Sequence, residues 1–359
     1  MAEPLKNKFN KKLVENIAFQ FNRYFNQFDQ QSYICKVIGT DWNELELKAR
    51  MRRISSVLPD FLPSNYPESL KIVEKVSGKF SGMTHMCFPD YVEQFGLDHF
   101  ELSMDALARM TKSSSSEFAV RPFIISDSDA AISKLKEWAK SDCEHIRRLA
   151  SEGCRPRLPW AMALPEFKSA PSPIIEILLT MIDDESLYVR RSVANNLNDI
   201  SKDNPDSVIN IASKYLGRTK NIDWVIKHAC RSLLKQGDPK VLPLFGYLPP
   251  KNIQISRFKL DDSVTLGENL NFQFEVSAKK GNLNQLRLEF VIDFLKSNGK
   301  HSAKVFKISE GNYEVTSREI NKYFSFKPIT TRKYYPGTHR LGIKVNGEKL
   351  TEEEFELIG

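Results

Sequence analysis

The sequence predicts a mainly α, helical-repeat solenoid followed by a C-terminal antiparallel β-sandwich. Two observations carry this prediction: the hydrophobic periodicity changes near residue 250, and the part before it repeats internally. Before residue 250, apolar residues such as Ile175, Leu178 and Ile182 recur at helical spacing, whereas strand-like alternation follows it. A chain of 359 residues usually divides into two cores, so we expect a helical domain over residues 1–249 and a β domain over residues 250–359.

Short alternating segments predict the β domain. Residues 253–258 nearly alternate and slip by one residue at their end, while residues 270–276 and 286–290 alternate cleanly. Turn-forming residues separate the segments, at 261–262, 280–282, 297–299 and 336–337. Several short strands within roughly 100 residues are typical of an immunoglobulin-like sandwich.

Internal repeats predict the solenoid. Residues 141–150 align with residues 184–193 and, more weakly, with residues 220–229. Each copy has polar residues, then an aliphatic anchor, then basic residues. The anchors are 43 and 36 residues apart: Ile146, Val189 and Val225. This period is typical of HEAT-type helix pairs. An irregular helical bundle is the alternative.

The composition narrows the class of protein. The net charge of +7 is a weak indication of a polyanionic partner. No run of about 18 apolar residues is present, so we predict no membrane span. Five scattered cysteines without a Cys-x-x-Cys pair fit a reducing cytosol and predict neither a disulfide framework nor a zinc site. The sequence has no glycine-rich phosphate loop and no metal-ligand cluster, so we expect no cofactor.

The repeat alignment predicts columns of side chains on one face of the solenoid. The first column is basic and holds Arg148, Arg191 and Lys227. Four residues further on, where a helix presents the same face, the next column holds Glu152, Asn195 and Arg231, and Asp199 continues it. We therefore expect a basic ridge that matches DNA phosphates and contains two carboxylates.

The carboxylates need an explanation because they repel phosphate. A reaction that develops positive charge supplies one: cleavage of an N-glycosidic bond passes through an oxocarbenium-like sugar, which a carboxylate stabilises. The same carboxylate can deprotonate the attacking water. The alternative is a surface ion pair between Glu152 and Arg148, worth about 0.3–0.5 kcal/mol.

An unusual loop follows Glu152. Residues 151–161 combine two prolines, Arg155, Arg157, a glycine and Trp160. Prolines reduce the entropy that the loop loses on ordering, so this loop looks prepared for a ligand. Trp160 is suited to lie against a cationic base or a sugar face. The alternative is that Trp160 fills a gap between two helix pairs.

Residues 151–161 closely resemble the signature of DNA alkylation-repair enzymes of the AlkC type, within the AlkC/AlkD group of HEAT-like glycosylases. The resemblance extends to residues 118–123, residues 188–199 and the C-terminal β domain. It implies a monofunctional glycosylase that removes cationic alkylated bases, chiefly 3-methyladenine and 3-methylcytosine, without flipping the base. Such a base already leaves readily, so the resemblance implies no metal and no nucleotide cofactor.

The resemblance also assigns roles to single residues. Glu152 matches a catalytic carboxylate, and Asp199 and Glu117 look like two further acidic positions near the lesion. The alternative for Glu117, which follows four serines, is that it simply favours a helix N-terminus. The residues expected to contact the lesion or the DNA are Trp160, Arg148, Arg155, Arg157, Arg191, Lys227 and Arg231.

The implied partner is double-stranded DNA with alkylated bases, bound by a monomer in the bacterial cytosol, with no membrane involved. Basic residues of the β domain are either phosphate contacts or ordinary solvated charges: Lys279, Lys280, Lys300, Lys304, Arg332 and Lys333. Two other functions stay open at this point. One is a non-catalytic HEAT-repeat scaffold, and the other is a protein that binds damaged DNA without cutting it.

Overall fold

The computed structural model describes residues 3–330 and 332–359. By their internal contacts these residues form two compact units. The first contains the chain up to Val208 together with Gly217–Ala229, and the second contains Ile209–Leu216 and Cys230–Gly359. The domain boundary expected between residues 249 and 250 stays a prediction.

Several helices of the first unit begin at a residue whose side chain caps the first turn. Side chains of Asn10, Asp29, Asn65 and Asp127 accept hydrogen bonds from the first turns of four helices. The α-helices are α1 Lys11–Tyr24, α2 Gln30–Val37, α3 Leu47–Ser56, α4 Tyr66–Ser77, α5 Cys87–Phe95, α6 Phe100–Met110, α7 Arg121–Ser126, α8 Ser128–Trp138, α9 Glu144–Gly153, α10 Pro165–Ser169, α11 Ser172–Thr180, α12 Leu187–Ile200, α13 Pro205–Tyr215, α14 Lys220–Ala229 and α15 Arg231–Gln236. Short 3-10 helices occupy Leu5–Lys8, Trp42–Glu44, Leu58–Phe61, Gly82–Met86, Leu97–His99 and Leu242–Phe245.

The repeated segments fold as helices of a HEAT-like array in which α9 packs on α12 and α12 packs on α14. Val189 is the third residue of α12 and is fully buried, whereas Ile146, the third residue of α9, is only half-buried. Lys220 already begins α14, so the first half of the third copy is helix rather than turn.

The predicted second column ends early. α14 ends at Ala229, and after a break at Cys230 the helix α15 begins with Arg231. Arg231 therefore does not lie one turn beyond Lys227 on the same helix, as the alignment predicted. The reason is local: the φ and ψ angles of Cys230 are −81° and 1°, outside the α-helical region.

The β part is an immunoglobulin-like sandwich of two sheets, ordered β1-β3-β6 and β2-β8-β7-β4-β5. Its strands are β1 Ile253–Leu260, β2 Ser263–Thr265, β3 Asn269–Ala278, β4 Asn284–Leu295, β5 His301–Tyr313, β6 Ser317–Ser325, β7 Gly337–Val345 and β8 Glu348–Ile358. Neighbouring strands are antiparallel except β2 and β8. The alternation slip predicted near residue 258 is a register shift between Ser256 and Lys259, with Arg257 at a φ of 53°. The core holds residues such as Phe274, Ile292 and Leu341.

Candidate active site

A cleft of about 520 Å³ opens beside the C-terminal half of α9 in the first unit. Its walls come from five places: the 3-10 helix Gly82–Met86, the turn before α7, α9 itself, the loop after α9 and the start of α12. Its lining residues are Gly82, Met83, Met86, Ser114, Ser115, Glu117, Phe118, Arg148, Glu152, Arg155, Leu158, Pro159, Trp160 and Tyr188. The cleft therefore brings Glu117 into one site with Glu152 and Trp160, although Glu117 comes from a separate segment of the chain.

One arginine joins two buried carboxylates. Glu152 and Asp199 are 6 % and 2 % exposed. Arg155 donates from Nη1 to Glu152 Oε1 at 2.5 Å and from Nε to Asp199 Oδ2 at 2.8 Å. Lys202 Nζ lies 2.9 Å from the other oxygen of Asp199. Each buried carboxylate is thus paired with at least one cation, as buried charges must be. Asp199 does not line the cleft and reaches it through Arg155.

Burial alone would lower the pKa of Arg155, but the charges of Glu152 and Asp199 outweigh burial and raise it. The Arg148 guanidinium is affected in the same way, since Glu117 and Glu152 overcome its burial and raise its pKa. Both arginines therefore stay cationic across the physiological range.

Arg148 lines the cleft and contacts four of its other lining residues. It donates to Glu117 Oε2 and, at 2.7 Å, to Ser115 Oγ, and its guanidinium lies 5.3 Å from the ring centre of Tyr188. Its Nη2 is 3.8 Å from Glu152 Oε1. The ion pair between Glu152 and Arg148 is therefore present but is the longer of two, and the closer partner of Glu152 is Arg155. The planar guanidinium of Arg148 thus contacts both carboxylates and the aromatic ring of Tyr188.

The second oxygen of Glu152 is held from α12. Ser192 Oγ donates to Glu152 Oε2 at 2.6 Å and lies 2.9 Å from Ser151 Oγ, while Asn196 Nδ2 donates to the Ser151 carbonyl at 2.8 Å. Sequence reasoning missed Ser192. The only signal for it was its position inside the helix motif of residues 188–199.

Trp160 has an unusual backbone. Its φ is 66°, and the bond from Ala161 N–H to the Leu158 carbonyl closes a turn with Pro159 and Trp160 at its centre. This is the pattern of a type II turn, in which the position of Trp160 normally carries glycine. The indole is 62 % exposed and lines the cleft, so Trp160 does not fill a gap between helix pairs.

The other predicted contact residues lie outside the cleft lining. Arg157 forms a two-point ion pair with Asp203 at 2.9 and 2.6 Å. Arg191 and Lys227 are exposed on α12 and α14, and Arg231 is half-buried at the start of α15 in the second unit. Their contacts with DNA stay predictions.

The described residues lack two features of other protein classes. Within residues 3–330 and 332–359, no group of three or more histidine, cysteine, aspartate or glutamate side chains is arranged to hold a metal ion. Over the same residues no helix has both the length and the apolar character needed to cross a bilayer.

Known proteins resemble this chain in both parts. Residues 111–233 match the family described as "DNA alkylation repair enzyme", and residues 254–359 match "Uncharacterised protein YhaZ, C-terminal Ig-like domain". The uncharacterised protein YhaZ of Bacillus subtilis is 42 % identical over 355 residues, which cover 98 % of this chain and 99 % of YhaZ.

A solved structure covers the whole fold. The alkylpurine DNA glycosylase AlkC of Pseudomonas fluorescens, bound to DNA containing an abasic site analog, is 35 % identical and has a TM-score of 0.95, with 99 % of this chain and 100 % of that chain covered. The fold and cleft thus define a helical-repeat DNA alkylation-repair enzyme that carries an immunoglobulin-like unit. The chain belongs to the AlkC-type family of DNA alkylation-repair glycosylases.

Proposed function

We propose that this chain hydrolyses the N-glycosidic bond of cationic alkylated bases, 3-methyladenine and 3-methylcytosine, in duplex DNA. The observation that carries the proposal is the link from Glu152 through Arg155 to Asp199, beside a cleft lined by Trp160. The AlkC structure supports it, because an abasic site analog resembles DNA that has lost a base.

The proposed chemistry suits this site. Methylation at N3 makes the base a cation, so the bond between C1′ and the base nitrogen breaks with its electrons going to the base, which leaves neutral. The sugar becomes an oxocarbenium ion, which the fixed carboxylate of Glu152 stabilises. Water then adds at C1′ and gives its proton to the same carboxylate. No step requires protonation of the base or its rotation out of the helix.

The acidic residues take different parts in this proposal. Glu152 faces the reacting sugar, and Glu117 contributes negative charge on the other side of Arg148. Asp199 acts through Arg155 and is a positioning residue. Trp160 and Arg148 contact the damaged nucleotide, and the outlying basic residues bind phosphates with salt-dependent affinity. The protein acts as a monomer.

The test is base release from methylated duplex DNA in single-turnover reactions that contain a chelator. We expect Glu152→Gln to bind duplex normally but to release 3-methyladenine at least about a hundredfold more slowly. Glu176→Gln, at an exposed glutamate paired with Lys136, is the matched control. An unchanged rate in Glu152→Gln removes Glu152 from the mechanism. A wild-type protein that binds damaged duplex without releasing base is a damage-binding protein, and one that binds only a protein partner is a scaffold.

A further inference from the structure

Three backbone carbonyls of the loop that carries Trp160, and of the helix end before it, accept hydrogen bonds from distant cations. Lys48 of α3 donates from Nζ to the Trp160 carbonyl at 2.7 Å. Arg121 at the start of α7 donates from Nε to the Met162 carbonyl at 2.7 Å and from Nη1 to the Gly153 carbonyl at 2.9 Å. Gly153 ends α9 directly after Glu152. The two cations therefore hold the chain at Trp160 itself and at one position before it and one after it.

The backbone at Trp160 needs restraint, because its φ of 66° lies in the left-handed region. A non-glycine residue in the left-handed region costs on the order of 1–3 kcal/mol and persists only where its surroundings over-determine it. Trp160 is 62 % exposed, so packing of its side chain does not provide that restraint. Hydrogen bonds to the carbonyls of Trp160 and Met162 do provide it.

Arg121 is a buried cation that contacts this loop through the carbonyls of Gly153 and Met162. It is fully buried, and desolvation lowers its pKa to about 10, which leaves it charged at neutral pH. Among the described residues its Nη2 has no hydrogen-bond partner. Burying a charge is costly, and carbonyl dipoles of Gly153 and Met162 are what this charge meets there. A smaller apolar residue would fill the space at lower cost, so the guanidinium is present for the carbonyls.

Lys48 joins the N-terminal helices to the cleft. Besides the Trp160 carbonyl, its ammonium lies 5.3 Å from the ring centre of Phe118, which lines the cleft with Trp160. Lys48 and Trp160 are 112 residues apart in the chain. Through this contact α3 takes part in the site, together with the 3-10 helix Gly82–Met86 that lines the cleft.

We propose that Lys48 and Arg121, here called the carbonyl clamp, are positioning residues that hold the Trp160 indole at a fixed place relative to the Glu152 carboxylate. Neither residue touches the reacting atoms in this proposal. It rests on the proposed glycosylase function, because the fixed distance matters only if Trp160 and Glu152 meet the same nucleotide. Misplacement of such a group by about 1 Å can cost on the order of a hundredfold in rate.

The test reads Trp160 directly, in the full chain without DNA. Of the four tryptophans, Trp42 and Trp138 are 5 % and 3 % exposed, so in a Trp224→Phe background Trp160 is the one exposed indole. Acrylamide quenches the exposed indole selectively, so the quenched part of the emission belongs to Trp160. We expect Lys48→Met to lower the time-resolved fluorescence anisotropy of that part, and to reduce kcat/KM for 3-methyladenine release at least about tenfold. Lys48→Arg, which can donate the same bond, restores both values. Lys36→Met, at an exposed lysine paired with Asp60, leaves both unchanged.

Three outcomes overturn the clamp. In the first, the anisotropy of Lys48→Met equals that of the parent and its kcat/KM stays within twofold. In the second, the anisotropy falls but the release rate does not. In the third, affinity falls equally for damaged and undamaged duplex while the anisotropy stays constant, which is what a plain phosphate contact gives.

Arg121→Lys is the second variant and is expected to act in the same direction as Lys48→Met. If the parent protein releases no base, the glycosylase proposal fails first, and the anisotropy of the DNA-free protein still separates that failure from a failure of the clamp.

Discussion

The Ser192 hydroxyl donates a 2.6 Å hydrogen bond to the Glu152 oxygen that Arg155 does not hold. This bond orients the carboxylate from a neighbouring helix and leaves few of its lone pairs for a substrate. Because Glu152 is only 6 % exposed, a lost hydrogen bond there is not replaced by bulk water.

Ser192→Ala tests this orientation. Hydrogen bonds to charged groups contribute about 1.5–3 kcal/mol, so we expect base release to slow by about tenfold to a hundredfold. The measurement is the single-turnover rate on methylated duplex. Ser201→Ala is the matched control, since Ser201 is 2 % exposed at the end of the same helix but donates to the Asn198 carbonyl. Equal rates in the two variants contradict an orienting role for Ser192.

The two arginines of the loop differ in their expected effect on stability. Arg155→Met leaves Glu152 and Asp199 buried without their shared counter-charge, and removal of one member of a buried ion pair costs about 3–5 kcal/mol. Arg157→Met breaks an exposed pair with Asp203 and costs less than about 1 kcal/mol. Urea unfolding gives both free energies. A loss for Arg155→Met as small as that for Arg157→Met means that water replaces the guanidinium and that the link is not structural.

The left-handed backbone of Trp160 can be separated from its indole. Trp160→Ala and Trp160→Gly both remove the ring, but only glycine adopts a φ of 66° without strain. We expect Trp160→Gly to be more stable than Trp160→Ala by about 1 kcal/mol in urea unfolding. Both variants lose base release. Equal stabilities would show that the turn is unstrained, and full activity in either variant would exclude the ring from the reaction.

A buried histidine predicts acid sensitivity. His85 is fully buried, both of its ring nitrogens are without a partner among the described residues, and burial lowers its pKa to about 4. As the pH falls from 6.5 towards 4, the unfolded chain takes up a proton that the folded protein refuses. The free energy of unfolding therefore falls with pH in this window.

The measurement is urea unfolding at pH 7 and pH 5 for the wild type and His85→Leu. We expect the wild type to lose about 2 kcal/mol more than the variant between these pH values. Burial raises the pKa of Asp90 to about 6, which acts in the opposite direction, but both proteins contain Asp90 and the comparison cancels it. Parallel pH dependences would show that His85 is protonated in the folded state.

The site divides into a part that could be predicted and a part that could not. Glu152, Arg155 and Trp160 stand within one continuous stretch, residues 151–161, whose first three residues end α9, and their joint arrangement around the cleft follows from that short spacing. The helical half, its repeats and the strands of the β half could also be predicted from the sequence, because periodicity is a property of neighbouring residues. The alignment failed at Arg231, where a single break at Cys230 starts a new helix.

The sequence by itself determined the fold class, the positions of the repeats and the loop with its carboxylate, because each depends on interactions within a few turns of chain. Only the tertiary structure decided that Arg155 reaches Asp199 across 44 residues, that Ser192 holds Glu152 across 40, and that Lys48 holds Trp160 across 112. These bonds depend on which helices pack together and on how far each side chain reaches between them. Periodicity predicts the face on which a residue lies but not the partner that it meets.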